Sequence, residues 1–172
     1  MTLHAITVLG HDRPGIIAET TDRLADLGLN LEDSSMTLLR GHFAMTLICA
    51  GDATDADISS ALSPLADDGT LTVTVREVPA EPAPVATGST WVLTVHGGDR
   101  PGIVSAFASE VARVGGNITD LTTRLGGELY LLVAEVDLPA DADPDALRAA
   151  LDAAADRLGV GATLREAEAD DL

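Results

Sequence analysis

The stretch GHDRPGI at residues 10–16 returns as GGDRPGI at residues 97–103, so one loop is written twice, 87 positions apart. The repetition reaches well beyond the loop. Residues 2–50 slide onto 89–137 without a gap, and the same offset pairs Ala25, Gly28, Asn30, Asp33 and Leu38 with Ala112, Gly115, Asn117, Asp120 and Leu125. The chain is therefore a duplicated module. Between the copies lies VPAEPAPVATGST (78–90), rich in Pro, Ala and small polar residues as an extended linker is. This predicts a first domain over residues 1–78, a Pro/Ala-rich linker over 79–89 and a second domain over 90–172.

Each copy reads as the same series of elements. LHAITVLG and TWVLTVHG are short and rich in branched or aromatic residues, which predicts strands. Pro14 and Pro101 then stand where a first helical residue is favoured, because a missing N–H costs nothing there, so a helix is expected to begin at each. Its apolar face is expected along Ile17, Thr21, Leu24 and Leu27 in one copy and Val104, Ala108, Val111 and Val114 in the other. Gly28 and Gly115 supply the stop. LNLEDSSMTLLR with HFAMTLICAG, and GNITDLTTRLGG with ELYLLVAEVDLP, read as hairpins turning near Arg40-Gly41 and Gly126-Gly127. The second strand of each hairpin is apolar on both faces: Tyr130, Leu132 and Val136 on one, Leu131 and Val133 on the other. This predicts helices over one side of the sheet and a further sheet or subunit over its other side. A second helix follows in DADISSALSPLADDG and in DADPDALRAALDAAADRLG, and TLTVTVREV and GATLREAEA close the copies as strands. The fold class is α+β: two ferredoxin-like βαββαβ modules in tandem, with antiparallel sheets carrying helices on one face.

Composition narrows the function. Apolar residues make up 46% of the 172 residues, enough for a core, and the formal charge is −18, with 10 Lys+Arg against 28 Asp+Glu. Such a field repels phosphate backbones and anionic membrane surfaces, so neither nucleic acid nor a membrane is expected as a direct partner. No stretch reaches the roughly 20 apolar residues that span a bilayer, and the first residues lack the basic and apolar segments of a signal peptide, which predicts a cytoplasmic location. Cys49 is the single cysteine and cannot form an internal disulfide; amid strand-like apolar residues it is expected to pack.

The loop itself is suited to an anion. A helix N-terminus exposes backbone N–H groups and the positive end of the helix dipole, and so attracts a carboxylate. Gly15 and Gly102, lacking Cβ, let a ligand or partner chain come close to the backbone. The other reading is structural: Asp12 and Asp99 make a turn, Pro and Gly start a helix, and Asn30 and Asn117 hydrogen-bond the start of a strand. His11, His96 and Asp99 are metal-ligating residue types, but no compact ligand spacing is present, and neither a metal nor a cofactor is expected. His4 and Trp91, at equivalent strand positions, are expected in the core or at an interface. EAEADD at 166–171 is expected to be a solvated acidic segment.

A βαββαβ module with D-R-P-G-I between its first strand and first helix, and G-x-N followed by Leu or Ile at its second strand, resembles the ACT domain, a small regulatory module that binds amino acids. The tandem pair resembles the glycine cleavage system transcriptional repressor family and related two-ACT proteins. The resemblance implies a small amino acid as ligand, with glycine or serine favoured. Its site would be Gly10, His11, Asp12, Arg13, Pro14, Gly15 and Ile16, or Gly97, Gly98, Asp99, Arg100, Pro101, Gly102 and Ile103. Asp12 or Asp99 would face the ammonium group, and Asn30 or Asn117 would reach in from a neighbouring domain. The His that serine-binding members carry two residues before the aspartate is Gly10 or Gly97 here. A homodimer and a protein partner, either a transcription factor or a metabolic enzyme, are implied as well. The alternative is an adaptor that needs no ligand. Similar modules precede the catalytic parts of formyltetrahydrofolate deformylases and some phosphoserine phosphatases, but this sequence shows no nucleophile with a base, no G-x-S-x-G and no phosphate loop, so no enzymatic activity is expected.

Overall fold

The structure is a computed structural model that describes residues 1–80 and 88–167. The chain divides into two compact units, Met1–Ala83 and Pro84–Leu172, each with its own core. Residues 81–87 of the expected linker and most of the acidic EAEADD segment lie outside the described residues.

The first unit runs β1 (Thr2–His11), α1 (Ile16–Asp26), β2 (Asn30–Leu39), β3 (His42–Gly51), α2 (Asp55–Leu62) and β4 (Leu71–Val78). The second runs β5 (Ser89–Gly98), α3 (Ile103–Arg113), β6 (Asn117–Gly126), β7 (Leu129–Leu138), α4 (Pro144–Leu158) and β8 (Val160–Glu166). Both are βαββαβ. Their antiparallel sheets have the strand orders β2-β3-β1-β4 and β6-β7-β5-β8. Even the irregularities repeat, since a register shift falls between Leu31 and Asp33 in β2 and between Ile118 and Asp120 in β6.

Period-two burial aims one face of each sheet at the helices. In the first unit Ile6, Val8, Phe43 and Leu47 of the sheet meet Ile16 and Leu24 of α1 and Ile58 and Leu62 of α2. In the second, Leu93, Val95, Leu132 and Val136 meet Ile103, Phe107, Leu147 and Leu151. The opposite faces carry apolar residues too: Leu9, Leu129 and Leu131 are exposed within their own units. Cys49 is buried, and burial, with a smaller contribution from the charge of Glu32, pushes its thiol pKa up.

Three local expectations need correction. The first helix of each unit begins at Ile16 and Ile103, two residues after the prolines, because Gly15 (φ 91°) and Gly102 (φ 92°) are left-handed and close a turn. That delay rotates the buried face. Ile16, Thr20 and Leu24, and Ile103, Phe107 and Val111, point inward, whereas Ile17 is 45% and Val104 37% exposed. Thr20 is tolerated in the core because its hydroxyl donates to the Ile16 carbonyl at 2.7 Å. The second hairpin turns at Gly127-Glu128, one residue later than read, with Gly127 at φ 64°. In the first hairpin Arg40 (φ 51°) and Gly41 (φ 83°) are both left-handed, the geometry that suits a two-residue hairpin turn.

Helix ends are set by local chemistry. Thr54 caps α2 in a capping box with Asp57, and Asp143 caps α4 by accepting from the N–H groups of Asp145 and Ala146. His4 and Trp91 are buried, as expected from their strand positions. His4 Nδ1 lies 2.8 Å from Asp55 Oδ1, which ties β1 to the start of α2. Trp91 donates to Ser89 Oγ at 2.7 Å and lies under the Arg148 guanidinium.

Candidate functional site

At the end of β1 the chain leaves the sheet through Gly10–Gly15. The loop is anchored on both sides, because His11 N–H donates to the Thr70 carbonyl at 2.9 Å and Asp12 N–H reaches the Gly41 carbonyl at 3.4 Å. Gly10 is forced to be glycine. A Cβ there would stand 2.0 Å from the Thr70 carbonyl oxygen, so the histidine of the serine-binding pattern has no room beside this β4. Gly97 is confined less tightly, chiefly by the Val160 side chain, whose Cγ1 would lie 2.8 Å from an added Cβ.

Gly15 starts α1 without a side-chain cap, and the first intrahelical bond runs from Glu19 N–H to the Gly15 carbonyl at 2.9 Å. The N–H groups of Ile16, Ile17 and Ala18 precede that bond and face out of the helix end. They open on a groove of about 500 Å³ lined by Asp12, Arg13, Pro14, Gly15, Ile16, Ile17, Ala18, Met36 and Phe43. A Cβ on Gly15 would meet nothing within 4 Å, so its glycine is required by its backbone angle rather than by a neighbouring atom. Gly102 repeats the geometry, with Ala106 N–H on its carbonyl at 3.0 Å, and there Ser105 Oγ donates to the same carbonyl.

Charge is arranged differently in the two copies. Arg13 is folded back onto α1, where Glu19 accepts from Arg13 at 2.9 Å and from Arg23 at 3.2 Å. The Arg13 hydrogen bond holds the Glu19 carboxyl below its usual range; partial desolvation opposes this and Arg23 reinforces it. The second copy has Ala106 where the first has Glu19, and Arg100 has no carboxylate within salt-bridge distance among the described residues. A buried acid appears elsewhere: Glu110, which the sequence reading passed over, is 7% exposed on α3 and paired with Arg113 and, at 3.9 Å, with Arg157.

Within one unit the candidate residues do not all come together. Asn30 pairs with Ala50 at one end of β3, and His11 pairs with His42 at the other, roughly 26 Å away at the strand rise. Asn117 is placed likewise, opposite Asp137, while Gly98 lies opposite Leu129. Among the described residues the carboxylates of Asp12 and Asp99 and the amides of Asn30 and Asn117 make no side-chain hydrogen bond.

Sequence reasoning missed Met36 and Phe43, which wall the groove from strands more than 20 residues away. Strand register would have found them, because β1 and β3 place Gly10 beside Phe43, and β3 and β2 place Met45 beside Met36. A smaller groove of about 140 Å³ runs along Asp33, Ser34, Ser35, Thr46 and Ile48. Among the described residues no three His, Cys, Asp or Glu side chains are grouped to hold a metal ion, and no helix is long and apolar enough to cross a membrane.

Comparison with known proteins agrees with this architecture. A family model described as the ACT domain matches residues 3–76 and again 89–164. A UPF0237 protein of Methanopyrus kandleri is 46% identical over 59 residues, covering 34% of this chain and 63% of that protein. The glycine cleavage system transcriptional repressor of Escherichia coli is 29% identical over 120 residues, covering 69% of this chain and 63% of the repressor. The alignments thus span about 63% of the length of these two curated relatives. The crystal structure of an unknown protein from Galdieria sulphuraria superposes with a TM-score of 0.76 at 27% identity, over 96% of this chain and 98% of that one. With the model matched twice, and the loop, the topology and the register repeated in both units, the chain belongs to the ACT domain family as a tandem pair of ACT domains.

Proposed function

We propose that the protein is a non-catalytic regulator that binds a small amino acid at the loop between the first strand and first helix of an ACT domain. The observation that carries this is the coincidence, at one groove, of an uncapped helix start and an aspartate without an internal partner. The amino acid carboxylate takes the N–H groups of Ile16, Ile17 and Ala18, and its ammonium faces Asp12. An Asn30 or Asn117 amide arrives from a partnering domain in a homodimer, because no unit brings its own asparagine to its own loop. Binding then shifts the assembly between states by its differential affinity for them. The output is contact with a protein partner, a transcription factor or metabolic enzyme in the control of amino-acid metabolism. With a charge of −18, direct contact with DNA is not part of this reading.

Calorimetric titration tests it. Glycine and serine, the candidates favoured by family resemblance, are measured first, then the other small amino acids. Asp12→Ala and Asn30→Ala, with Asp99→Ala and Asn117→Ala for the second copy, each remove a charge-assisted or amide hydrogen bond. Loss of one charged bond costs about 1.5–3 kcal/mol, or roughly ten- to a hundredfold in affinity. A wild type that binds no amino acid at millimolar concentration defeats the ligand reading. It would favour an adaptor working through edge strand β2, on which Leu31, Met36, Leu38 and Leu39 are exposed.

A further inference from the structure

We propose that His11 and His42 form a two-imidazole site for a borderline divalent cation of the zinc type, with water completing the coordination. The two residues are direct register partners at the ends of β1 and β3, and both are exposed. Neighbouring residues of these strands, Val8 and Phe43, point into the core, so alternation sends His11 and His42 to the opposite face of the sheet. That face is not the one on which the amino-acid groove opens. The ring centroids are 5.8 Å apart with the planes at 83°. Two imidazoles on a tetrahedral ion with Zn–N of about 2.0–2.1 Å place their centroids roughly 5 Å apart, so the pair needs to close by less than about 1 Å.

The protonation pattern suits a ligand. His42 Nδ1 lies 3.3 Å from the Arg40 carbonyl oxygen. A carbonyl only accepts, so this contact favours the ring form with hydrogen on Nδ1, and in the neutral ring that form leaves the lone pair on Nε2. Ligating histidines are commonly oriented by such a bond from the other ring nitrogen. The Arg40 carbonyl belongs to the turn residue with φ 51°, the one non-glycine left-handed residue among those described. The second ACT domain has Gly98 and Leu129 at the equivalent positions, so the pair exists once in the chain and one ion per chain is expected.

Zinc chloride titrated into the full chain by calorimetry tests the site, since the acidic surface supplies weak background binding that the variants separate from it. Wild type should take one ion per chain above that background, and His11→Ala and His42→Ala should each weaken it by about tenfold or more. Both side chains are exposed, and circular dichroism checks that the variants remain folded. Nitrogen-15 spectra of the histidine rings provide a second readout: zinc should shift His42 Nε2 while Nδ1 keeps its hydrogen. Equal zinc affinity in wild type and the double alanine variant, or ring signals unmoved at saturating zinc, would overturn the proposal.

Discussion

Gly10→Ala should destabilise the first ACT domain more than Gly15→Ala does, and far more than Gly98→Ala destabilises the second. The added methyl would lie 2.0 Å from the Thr70 carbonyl oxygen and 2.9 Å from Leu71 Cα, both of them backbone atoms that no rotamer change can move. Relief requires β4 to retreat from β1, which opens the 2.9 Å bond from His11 N–H to Thr70. One lost hydrogen bond, at about 0.5–1.5 kcal/mol, plus overpacking strain of about 1–3 kcal/mol gives roughly 1.5–4.5 kcal/mol. Gly15→Ala meets no atom within 4 Å but must hold φ 91°, a left-handed strain of about 1–2 kcal/mol. Gly98→Ala has neither problem and should fall within about 0.5 kcal/mol of wild type. Urea unfolding followed by far-UV circular dichroism measures the order. Trp91, the single tryptophan, reports the second domain separately. A Gly10→Ala protein within 0.5 kcal/mol of wild type would refute the reasoning, and with it the steric explanation for the missing histidine.

Thr54→Ala removes one half of the capping box on α2 and should cost about 1 kcal/mol, read as a lower urea midpoint; an unchanged midpoint would mean that the cap adds nothing beyond solvent. Acid should destabilise the first domain through Glu19, Asp57 and Asp68, whose folded pKa values are lowered by hydrogen bonds from Arg13, Thr54 and Thr70 respectively. Because folding lowers these values, the stabilisation is present above the ordinary carboxylate pKa of about 4 and is lost as pH falls through the lower folded values. Urea midpoints across that range should fall with pH, and Glu19→Gln should make the fall shallower. In solution the chain should be at least a dimer by light scattering, with the exposed Leu9, Leu129 and Leu131 faces covered; a monomer at high concentration would remove the partnering asparagine from the proposed site.

The sequence carried the topology because its signals were redundant. Two copies of each strand and helix, read at one offset, left little freedom in order or type, and the sheet orders and bulges then repeated almost residue for residue. What it hid were choices between two sound local rules. Proline favours a first helical turn, yet the glycine after it took a left-handed angle, so the helix began at Ile16 and its inward face rotated from Ile17 to Ile16. Thr20 and Glu110 are polar and lie off the inward face expected from the sequence, but a carbonyl acceptor and two arginines satisfy them inside. Met36 and Phe43 entered the groove through strand register, which a one-dimensional pattern does not hold until the pairing is known.

The repeated loop also separates what a site needs from its backbone and what it takes from its side chains. Gly15 and Gly102 differ by one degree in φ and four in ψ, so duplication has kept the uncapped helix start nearly unchanged. The side chains around it have not been kept. Ala18, Glu19, Met36 and Phe43 of the first domain stand where the second has Ser105, Ala106, Thr123 and Tyr130. The uncapped helix start is thus common to both, while Met36 and Phe43 line the first domain's groove beside an Arg13 paired with Glu19, and the matching positions of the second hold Thr123 and Tyr130, with Arg100 in place of Arg13. Carboxylate capture should therefore be shared and side-chain preference should differ, because backbone N–H groups see only the carboxylate whereas the walls see the rest of the ligand. Met36→Thr, which gives the first groove the second domain's residue, should change which amino acid is preferred while leaving glycine, which has no side chain to meet the wall, bound as before. A parallel loss of affinity for every amino acid including glycine would show that Met36 supports the loop itself, and the division between backbone and wall would fail.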